Sequence, residues 1–322
     1  INGIEEADFI LLIGSNPRYE ATILNARIRK AYLQNKTKII SLNDVGDLTY
    51  PYESLDGDIE NIKKITEDNH EVSSLIKEAK KPLIIFGQSS LKTKSAKYIF
   101  ESVKSFLKKN NKMSDEWNSL NTISENASTV GSFDLGLYKT VDGSNEVLKD
   151  LENHMFEIVY LLGVDNLKFE KKNEFVIYQG SHGDKGAEIA DIILPGAAYT
   201  EQNGYFTNLE GKIQKAYKAS FPPEEAKEDW LIINELAEAM NHRKLFNDKD
   251  ELDSSLLNQI NLFIEKDKSI KSSTVENIEF KQEILKVENE DYYYSNAIAR
   301  ASKTMLECKT AKVNLKLTGT EG

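Results

Sequence analysis

The residue types that hold metal ions and iron–sulfur clusters are scarce in this 322-residue chain. It has a single cysteine, Cys308, and four histidines. An iron–sulfur cluster is held by several cysteine thiolates, so this chain cannot hold one by itself, and we expect no redox reaction from it alone. None of the histidines stands in H-E-x-x-H or another zinc-ligand spacing; they are His70, His154, His182 and His242. No zinc site built from neighbouring residues is therefore predicted.

Residues 180–186, with the sequence Gly-Ser-His-Gly-Asp-Lys-Gly, have the composition of a binding loop. His182 and Asp184 can pair, and a glycine-rich backbone can approach an anion closely. The alternative is a flexible polar loop whose glycines only permit unusual backbone angles. Replacing His182 with alanine separates the two interpretations, because unchanged ligand binding and activity in the native assembly would exclude a functional site.

Two glycine-containing turns invite comparison with phosphate-binding loops, and both lack required residues. The turn after the first apolar run has Gly14 but not the three glycines of a dinucleotide fingerprint. In residues 204–212, six residues separate the glycines where a P-loop has four, and Ile213 replaces the magnesium-binding Ser or Thr. Asp44 stands where an acid can bind a ribose, but its position before Gly46 favours a turn. Nucleotide binding is therefore not predicted.

No arrangement for nucleophilic or acid–base catalysis stands out. A G-x-S-x-G elbow is absent, and its nearest approach, residues 87–90, lacks the second glycine. The chain has 52 Asp and Glu residues, most of which we interpret as solvated faces. The residues alone therefore indicate no enzyme class.

Short apolar runs alternate with helical stretches along most of the chain. The first run is continuously apolar and too short for a helix, which is typical of a strand buried on both faces. A helical stretch and a second apolar run follow, and the three together indicate a β-α-β unit. This alternation favours an α/β fold with a doubly wound, mainly parallel sheet, whose strands are predicted at residues 9–14, 38–42, 82–86, 158–164, 175–178 and 192–194.

Three segments are predicted to differ from this pattern. Residues 110–145 are rich in Asn, Ser, Gly and Asp, which indicates an irregular connection. Residues 204–217 are predicted to form a hairpin that turns near 208–211. After a Pro-Pro break, a helix is predicted to start at residues 228–229, with one face formed by Trp230, Ile233, Ala237 and Met240.

The C-terminal part is predicted to be a separate region. We divide the chain into an α/β domain, residues 1–242, and a charged extension, residues 243–322. Residues 243–290 show no clear periodicity, which is typical of a mobile or partner-bound segment. Ser295 or Asn296 can cap a terminal amphipathic helix, with an apolar face formed by Ile298, Ala301, Met305 and Cys308. We therefore expect Cys308 to be packed.

Composition narrows the classes of protein further. Hydrophobic residues make up 40% of the chain, which suits a globular protein, and no apolar run approaches the roughly 20 residues of a membrane span. The net charge of -11 disfavours nucleic acid as a partner. A single cysteine allows no intrachain disulfide and suits a reducing compartment.

Several longer stretches resemble a known family. Similarity to the molybdopterin oxidoreductase superfamily is carried by residues 13–20 (IGSNPRYE), 24–30 (LNARIRK), 190–201 (ADIILPGAAYTE) and 208–214 (NLEGKIQ). Within it, the chain resembles the large iron–sulfur subunits of respiratory complex I, the NADH:quinone oxidoreductase. Two further stretches share that resemblance, residues 178–184 (YQGSHGD) and 299–305 (ARASKTM).

The resemblance implies a division of labour within such a subunit. Its N-terminal part binds the iron–sulfur clusters that pass electrons from flavin toward quinone, and its C-terminal part keeps the molybdopterin-enzyme fold without the molybdenum cofactor. This chain is similar only to the latter half of that second part. The resemblance therefore implies a structural and assembly subunit with no catalytic, cofactor-binding or metal-binding residues, in a split form of the large subunit.

The implied partners are the other peripheral-arm subunits of complex I, above all the chain carrying the N-terminal iron–sulfur half. The implied location is the matrix side of the mitochondrial inner membrane, or the cytoplasmic face of a bacterial plasma membrane, without direct membrane insertion. Because the chain opens on Ile1 and reaches an apolar run within eight residues, we expect its upstream part to lie elsewhere.

Two other functions are open on the sequence. One is part of an active molybdopterin oxidoreductase, similar to formate dehydrogenase, with pterin bound by the Gly14 and Asn208 loops. The other is a free-standing nucleotide-binding module, which the failed glycine fingerprints disfavour. A cluster of arginines also has two interpretations, a basic patch for an acidic neighbour or a helix face with local ion pairs to Glu20 and others; its members are Arg18, Arg27 and Arg29.

Overall fold

The fold is taken from a computed structural model, which describes residues 2–124, 126–127, 129–137, 147–167, 169–241, 243–267, 278–288 and 291–318. The chain divides into two compact units. The first comprises Ile1–Ala127 and Ser269–Glu290, and the second comprises Ser128–Lys268 and Asp291–Gly322. Each unit therefore contains pieces from both sides of residue 242, and the division into family domains at that residue stays a prediction.

The first unit is built around five strands, which are β1 (Phe9–Ile13), β2 (Lys38–Ser41), β3 (Glu53–Ser54), β4 (Pro82–Phe86) and β5 (Leu120–Thr122). They follow the order β3-β2-β1-β4-β5, and each neighbouring pair is parallel. Its helices are α1 (Pro17–Glu20), α2 (Thr22–Asn35), α3 (Glu60–Thr66), α4 (Glu71–Glu78), α5 (Gln88–Leu91) and α6 (Ala96–Lys109).

Both faces of this sheet are buried. Successive side chains of a strand point to opposite faces, so Leu11 and Leu12 of β1 lie in two different apolar clusters. Residues of α3, α4 and α6 pack in the cluster of Leu11, and Ile28 of α2 packs in the other. The alternation of strands and helices therefore produces the predicted doubly wound parallel sheet, and this prediction is confirmed.

Two segments without a clear sequence pattern contribute to the first unit. The predicted irregular connection, 110–145, supplies β5 at the edge of this sheet and, in the second unit, contains the helix Thr129–Asp134, so this prediction was wrong at both places. Residues 278–288, which we call the strap, fall in the predicted mobile or partner-bound segment but pack on this unit. Leu285 of the strap is buried in the cluster of Leu11, and Ile284 forms an antiparallel bridge with Asp58. Long-range backbone pairing, which leaves no local sequence signal, holds both segments.

The second unit has a smaller parallel sheet and a hairpin. The sheet has the order β6-β7-β8, and its strands are Ile158–Leu162, Phe175–Gly180 and Ile192–Pro195. The hairpin is antiparallel and joins β9 (Gly204–Thr207) to β10 (Ile213–Ala216), as predicted. Its helices are α7 (Thr129–Asp134), α8 (Val147–Glu152), α9 (Lys185–Glu188), α10 (Asp229–Asn241), α11 (Lys249–Asp267), α12 (Ala297–Ala301) and α13 (Lys303–Thr318).

The C-terminal helices depart from the sequence prediction. The Asn296 side chain caps α12 by accepting a hydrogen bond from the Ala299 N–H, as expected. Ser302 then adopts an extended conformation and ends α12, so α13 starts with a new phase. The predicted continuous apolar face is therefore broken, and Cys308 is exposed rather than packed.

Candidate functional site

The carboxyl ends of β1 and β4 occupy the position where a doubly wound sheet binds ligands. In a doubly wound sheet, ligands bind where neighbouring strands lead to helices on opposite faces, and β1 and β4 are such neighbours. Here the two turns contact each other. A Cβ added at Gly14 would lie 2.6 Å from the Ser90 backbone nitrogen, and one at Gly87 would collide with the Gly14 carbonyl oxygen. Both glycines are therefore needed for close packing of backbone.

The polar groups of the Gly14 turn bond within the chain. The Asn16 N–H donates to the Glu20 carboxylate at 2.8 Å, and the Ser15 hydroxyl donates to the same carboxylate at 3.1 Å. The Asn16 side chain caps α1 and donates to the Val45 carbonyl. A carboxylate of this chain thus takes the position that an anionic ligand would take at this turn.

The strap crosses the same end of the sheet. The Glu288 N–H donates to the Ser89 hydroxyl, and the Lys94 N–H donates to the Glu283 carboxylate. Asn43, which follows β2, donates from Nδ2 to the Leu285 carbonyl, while its buried Oδ1 lacks a hydrogen-bond partner among the described residues. Since an amide oxygen only accepts hydrogen bonds, this unmet group does not attract an anion.

Turn chemistry and ion pairs account for other residues singled out in the first unit. Asp44 accepts a hydrogen bond from the Gly46 N–H, which lowers the pKa of its carboxyl group, and the turn interpretation is confirmed. Arg18 pairs with Asp47 at 2.6 Å, and Arg27 pairs with Glu5. The local ion pairs considered for the arginine cluster therefore exist for two of its members, with carboxylates other than Glu20.

In the second unit, the 180–186 loop is held by one arginine. Arg300 donates from Nε to Asp184 at 2.8 Å and from Nη2 to Asp165 at 2.5 Å. Burial raises the pKa of Asp184, but hydrogen bonds from the Lys185 N–H and Arg300 outweigh it, and the pKa lies below its ordinary value. His182 contacts the Ser181 hydroxyl at 2.9 Å through Nδ1. Asp184 therefore pairs with Arg300. The sequence indicates no role for Arg300, because the two residues lie far apart in the chain.

A buried amide organises the carboxyl end of β7. Gln179 is fully buried; its Nε2 donates to Asp229 Oδ1 at 2.8 Å, and its Oε1 accepts from the Tyr160 hydroxyl. Gln202 donates to the other Asp229 oxygen at 2.8 Å. A Cβ at Gly196 would lie 2.7 Å from Asp229 Oδ1. This network fixes the start of α10 on the sheet.

The remaining predicted positions show local structural roles. His154 Nδ1 lies 2.7 Å from the buried Glu174 carboxylate. Hydrogen bonds from the backbone N–H groups of Lys172 and Glu174, and then from His154, lower the pKa of Glu174 to about 2. The Asn208 side chain closes the hairpin by accepting from the N–H groups of Glu210 and Lys212.

The described residues contain neither a metal-binding cluster nor a helix that could span a membrane. Among the described residues, no group of three or more His, Cys, Asp and Glu side chains is arranged to hold a metal ion; His242 lies outside these residues. Across the same part of the chain, every helix falls short of the length and apolarity that crossing a membrane requires.

Known proteins similar to this chain have related names. The NADH-ubiquinone oxidoreductase 75 kDa subunit of Reclinomonas americana is 37% identical over 95% of this chain and 45% of its own length. The G subunit of the NADH-quinone oxidoreductase of Rickettsia bellii is 37% identical over 99% of this chain and 46% of its own length. The mitochondrial NADH-ubiquinone oxidoreductase 78 kDa subunit of Candida albicans is 36% identical over 96% of this chain and 44% of its own length. The chain thus spans a little under half the length of these relatives.

Two family profiles match along the chain, and both confirm the resemblance found in its sequence. Residues 261–308 match the family formed by the C-terminal region of the NADH-ubiquinone oxidoreductase G subunit. Residues 1–239 match the family Molybdopterin oxidoreductase. Since this match extends over both parallel sheets and the hairpin, the chain belongs to the molybdopterin oxidoreductase family.

Proposed function

We propose that this chain is a structural and assembly subunit in the peripheral arm of respiratory complex I. In this role it supports NADH-to-quinone electron transfer that iron–sulfur clusters on a partner chain carry out. The proposal is supported by relatives named as NADH-ubiquinone or NADH-quinone oxidoreductase subunits, which match over at least 95% of the chain. The match of residues 261–308 to a family of C-terminal regions from such subunits points the same way.

The single observation that carries the structural role is the closed carboxyl edge of the first sheet. The family name implies a pterin cofactor, whose phosphate groups would need exposed N–H donors. The Asn16 N–H and the Ser15 hydroxyl already donate to Glu20, and the Gly14 turn packs on Ser90. These residues do not fit an anionic pterin cofactor. We derive no reaction step through one.

The Asn208 loop of the second unit fits the cofactor no better. Its side-chain oxygen accepts two backbone N–H groups of its own turn, and Gly211 takes a positive φ of 76° to close it. The loop is complete as a hairpin turn. Retention of both motifs is thus explained by backbone geometry, which favours the structural role over a formate dehydrogenase-like activity.

The cysteine content supports placing the electron path on another polypeptide. Cys308 is the only cysteine of the chain and is exposed on α13, whereas a cluster needs several thiolates. We place the cluster ligands on the portion of the subunit that relatives have beyond the region matched here. The proposal also places the chain on the matrix side of the mitochondrial inner membrane, or at the cytoplasmic face of the membrane in a bacterium. A relative named as mitochondrial supports the organelle.

Blue-native electrophoresis of membranes from the source cells tests this proposal. An antibody against the chain should detect it in the band that stains for NADH dehydrogenase activity. Detection only as a free chain would overturn the proposal. Pterin fluorescence and molybdenum or tungsten analysis of the purified native assembly provide the control, because finding both in stoichiometric amounts would favour the active molybdopterin enzyme instead.

A further inference from the structure

One face of the β6-β7-β8 sheet carries six apolar or aromatic side chains, of which four are exposed and two, Tyr160 and Ile177, are half-buried. Leu161, Val176 and Tyr178 pack together on the opposite face, where loop residues and α9 cover them. Because side chains alternate along each strand and the strands pair in parallel register, a second set shares the other face. We call this set the open face, which consists of Ile158, Tyr160, Leu162, Phe175, Ile177 and Ile192.

The exposure of the open face is unusual for a parallel sheet. Such sheets are covered on both faces in folded proteins. Here Ile158 is 63% exposed, Phe175 is 43% exposed and Ile192 is 44% exposed. The first two are direct neighbours across β6 and β7, and Ile192 lies beside Ile177. Contiguous apolar side chains in this arrangement form a patch of the kind that protein interfaces use.

A groove extends the open face toward α10. Leu194 pairs in register with Gln179 and therefore lies on the same side of the sheet as the open face. With Ile232 of α10 it contributes to a cavity of about 410 Å³, which is lined by Leu194, Pro195, Glu225, Lys227, Ile232 and Glu235. Lys227 pairs with Glu235 at 2.7 Å. The groove thus combines an apolar floor with a rim that holds its own ion pair, which suits an apolar side chain more than a charged ligand.

We propose that the open face binds the polypeptide that corresponds to the part of the large complex I subunit this chain does not match. The inference rests on the proposed function and adds the docking surface to it. Relatives have more than half of their length outside the matched region, so the same subunit contains ample chain to cover this sheet. The occupant is an element with an aliphatic stripe, such as an amphipathic helix, that packs across β6, β7 and β8.

Charge distinguishes this occupant from a second copy of the chain. Each copy carries a net charge of -11, and like net charge opposes self-association. A sheet face of this composition gains free energy from any apolar cover, so the polypeptide that is held nearby in the same assembly has the advantage. Self-association is thus an outcome that the experiment must detect.

Site-specific photocrosslinking in the native assembly tests the inference. A benzophenone amino acid replaces Phe175 on the open face or, as the matched control, Phe221, which is 78% exposed in the same unit outside the sheet. The variant at 175 should crosslink to a peptide of the chain that carries the cluster-binding half, and the variant at 221 should not. A crosslink from 175 to a second copy, to an unrelated subunit or to nothing would overturn the inference.

Two isoleucine variants test the docking surface independently, through the amount of chain that enters the complex I band. Ile192→Asp should reduce the amount of chain in the complex I band at least about tenfold, because a buried charge would replace an interface side chain. Ile23→Asp changes an isoleucine that is 69% exposed on α2 and should leave the amount unchanged. Equal incorporation of the two variants would overturn the docking surface. Absence of the wild-type chain from that band would overturn the proposed function itself, so the two failures are distinguishable.

Discussion

In the first unit all five residues of β1 are buried, whereas in the second unit Ile158 and Leu162, at the two ends of β6, are exposed. The two strands have similar sequences, Phe-Ile-Leu-Leu-Ile and Ile-Val-Tyr-Leu-Leu. What differs is the cover. Helices from the same unit and the strap cover the first sheet. In the second unit an apolar cluster covers one face of the sheet, and on the other face α10 covers the end near Gln179 while Ile158, Phe175 and Ile192 are exposed. Two strands of similar apolar composition can thus differ in burial, because burial depends on whether other elements of the same chain pack on them.

Replacing one isoleucine in each sheet with alanine should give the largest difference in stability between the two units. Ile84 is fully buried in β4 and Ile192 is 44% exposed in β8. We expect Ile84→Ala to cost about 2–5 kcal/mol of unfolding free energy, through lost burial and a cavity. Ile192→Ala should cost about 1 kcal/mol or less in the purified chain, since little burial is lost.

The two tryptophans allow each unit to be followed separately in urea. Trp117 lies in the first unit and Trp230 in the second, so Trp230→Phe and Trp117→Phe backgrounds report the first and second units respectively. Equal losses of unfolding free energy for Ile84→Ala and Ile192→Ala would contradict the claim that the first sheet is covered more completely than the second.

Two glycines that follow corresponding strands allow the packing of the two units to be compared at single positions. Gly14 follows β1 with a φ of 62°, and Gly163 follows β6 with a φ of 64°. Only the first is crowded, since a Cβ at Gly163 would have nothing within 4 Å. Alanine strains the backbone equally at both, but Gly14→Ala adds an overpacking cost of about 1–3 kcal/mol. Denaturation midpoints should therefore fall further for Gly14→Ala, and similar midpoint shifts would show that the first turn is not closed.

Arg300 gives a prediction for the polar contacts of the second unit. Arg300→Ala leaves Asp165 and Asp184 without their shared partner, at a cost of about 1–3 kcal/mol. Hydrogen exchange should then rise in residues 180–186. The control is Lys227→Ala, which removes an exposed ion pair with Glu235 and should cost about 0–1 kcal/mol. Unchanged exchange after Arg300→Ala would refute the role of this arginine in holding the loop.

The smallest expected effect is on how the stability of the second unit changes with falling pH. Glu174 has its pKa lowered from 4.5 to about 2 in the folded chain, so it contributes stability that is present above its unfolded pKa and is lost as the pH falls through about 2. Between pH values of about 5 and 3, the urea midpoint of the second unit should fall less steeply for Glu174→Gln than for the wild type. Parallel pH profiles would refute this contribution.

Much of this architecture is predictable from local pattern. The runs at 82–86 and 175–178 are strands, the turn near 208–211 closes a hairpin, and the fold class is correct. The strap was not predictable, because Leu285 is held by Asn43 and Gly57, which are distant in sequence. The apolar residues of β6 also do not reveal from sequence whether the element that packs on them belongs to this chain or to another one.

For the candidate site, the sequence disfavours a dinucleotide turn at Gly14, which stays a prediction, and it does not indicate the Arg300 contacts. The missing glycines are a local signal, whereas Arg300 reaches Asp165 and Asp184 only after the chain has folded. Cys308 shows a further limit, since Ser302 interrupts the helix on which its packing was predicted. A single extended residue changes the phase of every side chain that follows.

Hydrogen exchange of the chain within purified complex I, compared with the free chain, tests the central claim most directly. The claim is that the first unit is complete by itself and that a partner polypeptide completes the second. Amides of 158–162 and 192–194 should gain protection in the complex, while those of 9–13 and 83–86 should be equally protected in both states. Unchanged exchange at 158–162 and 192–194 on assembly would contradict the account.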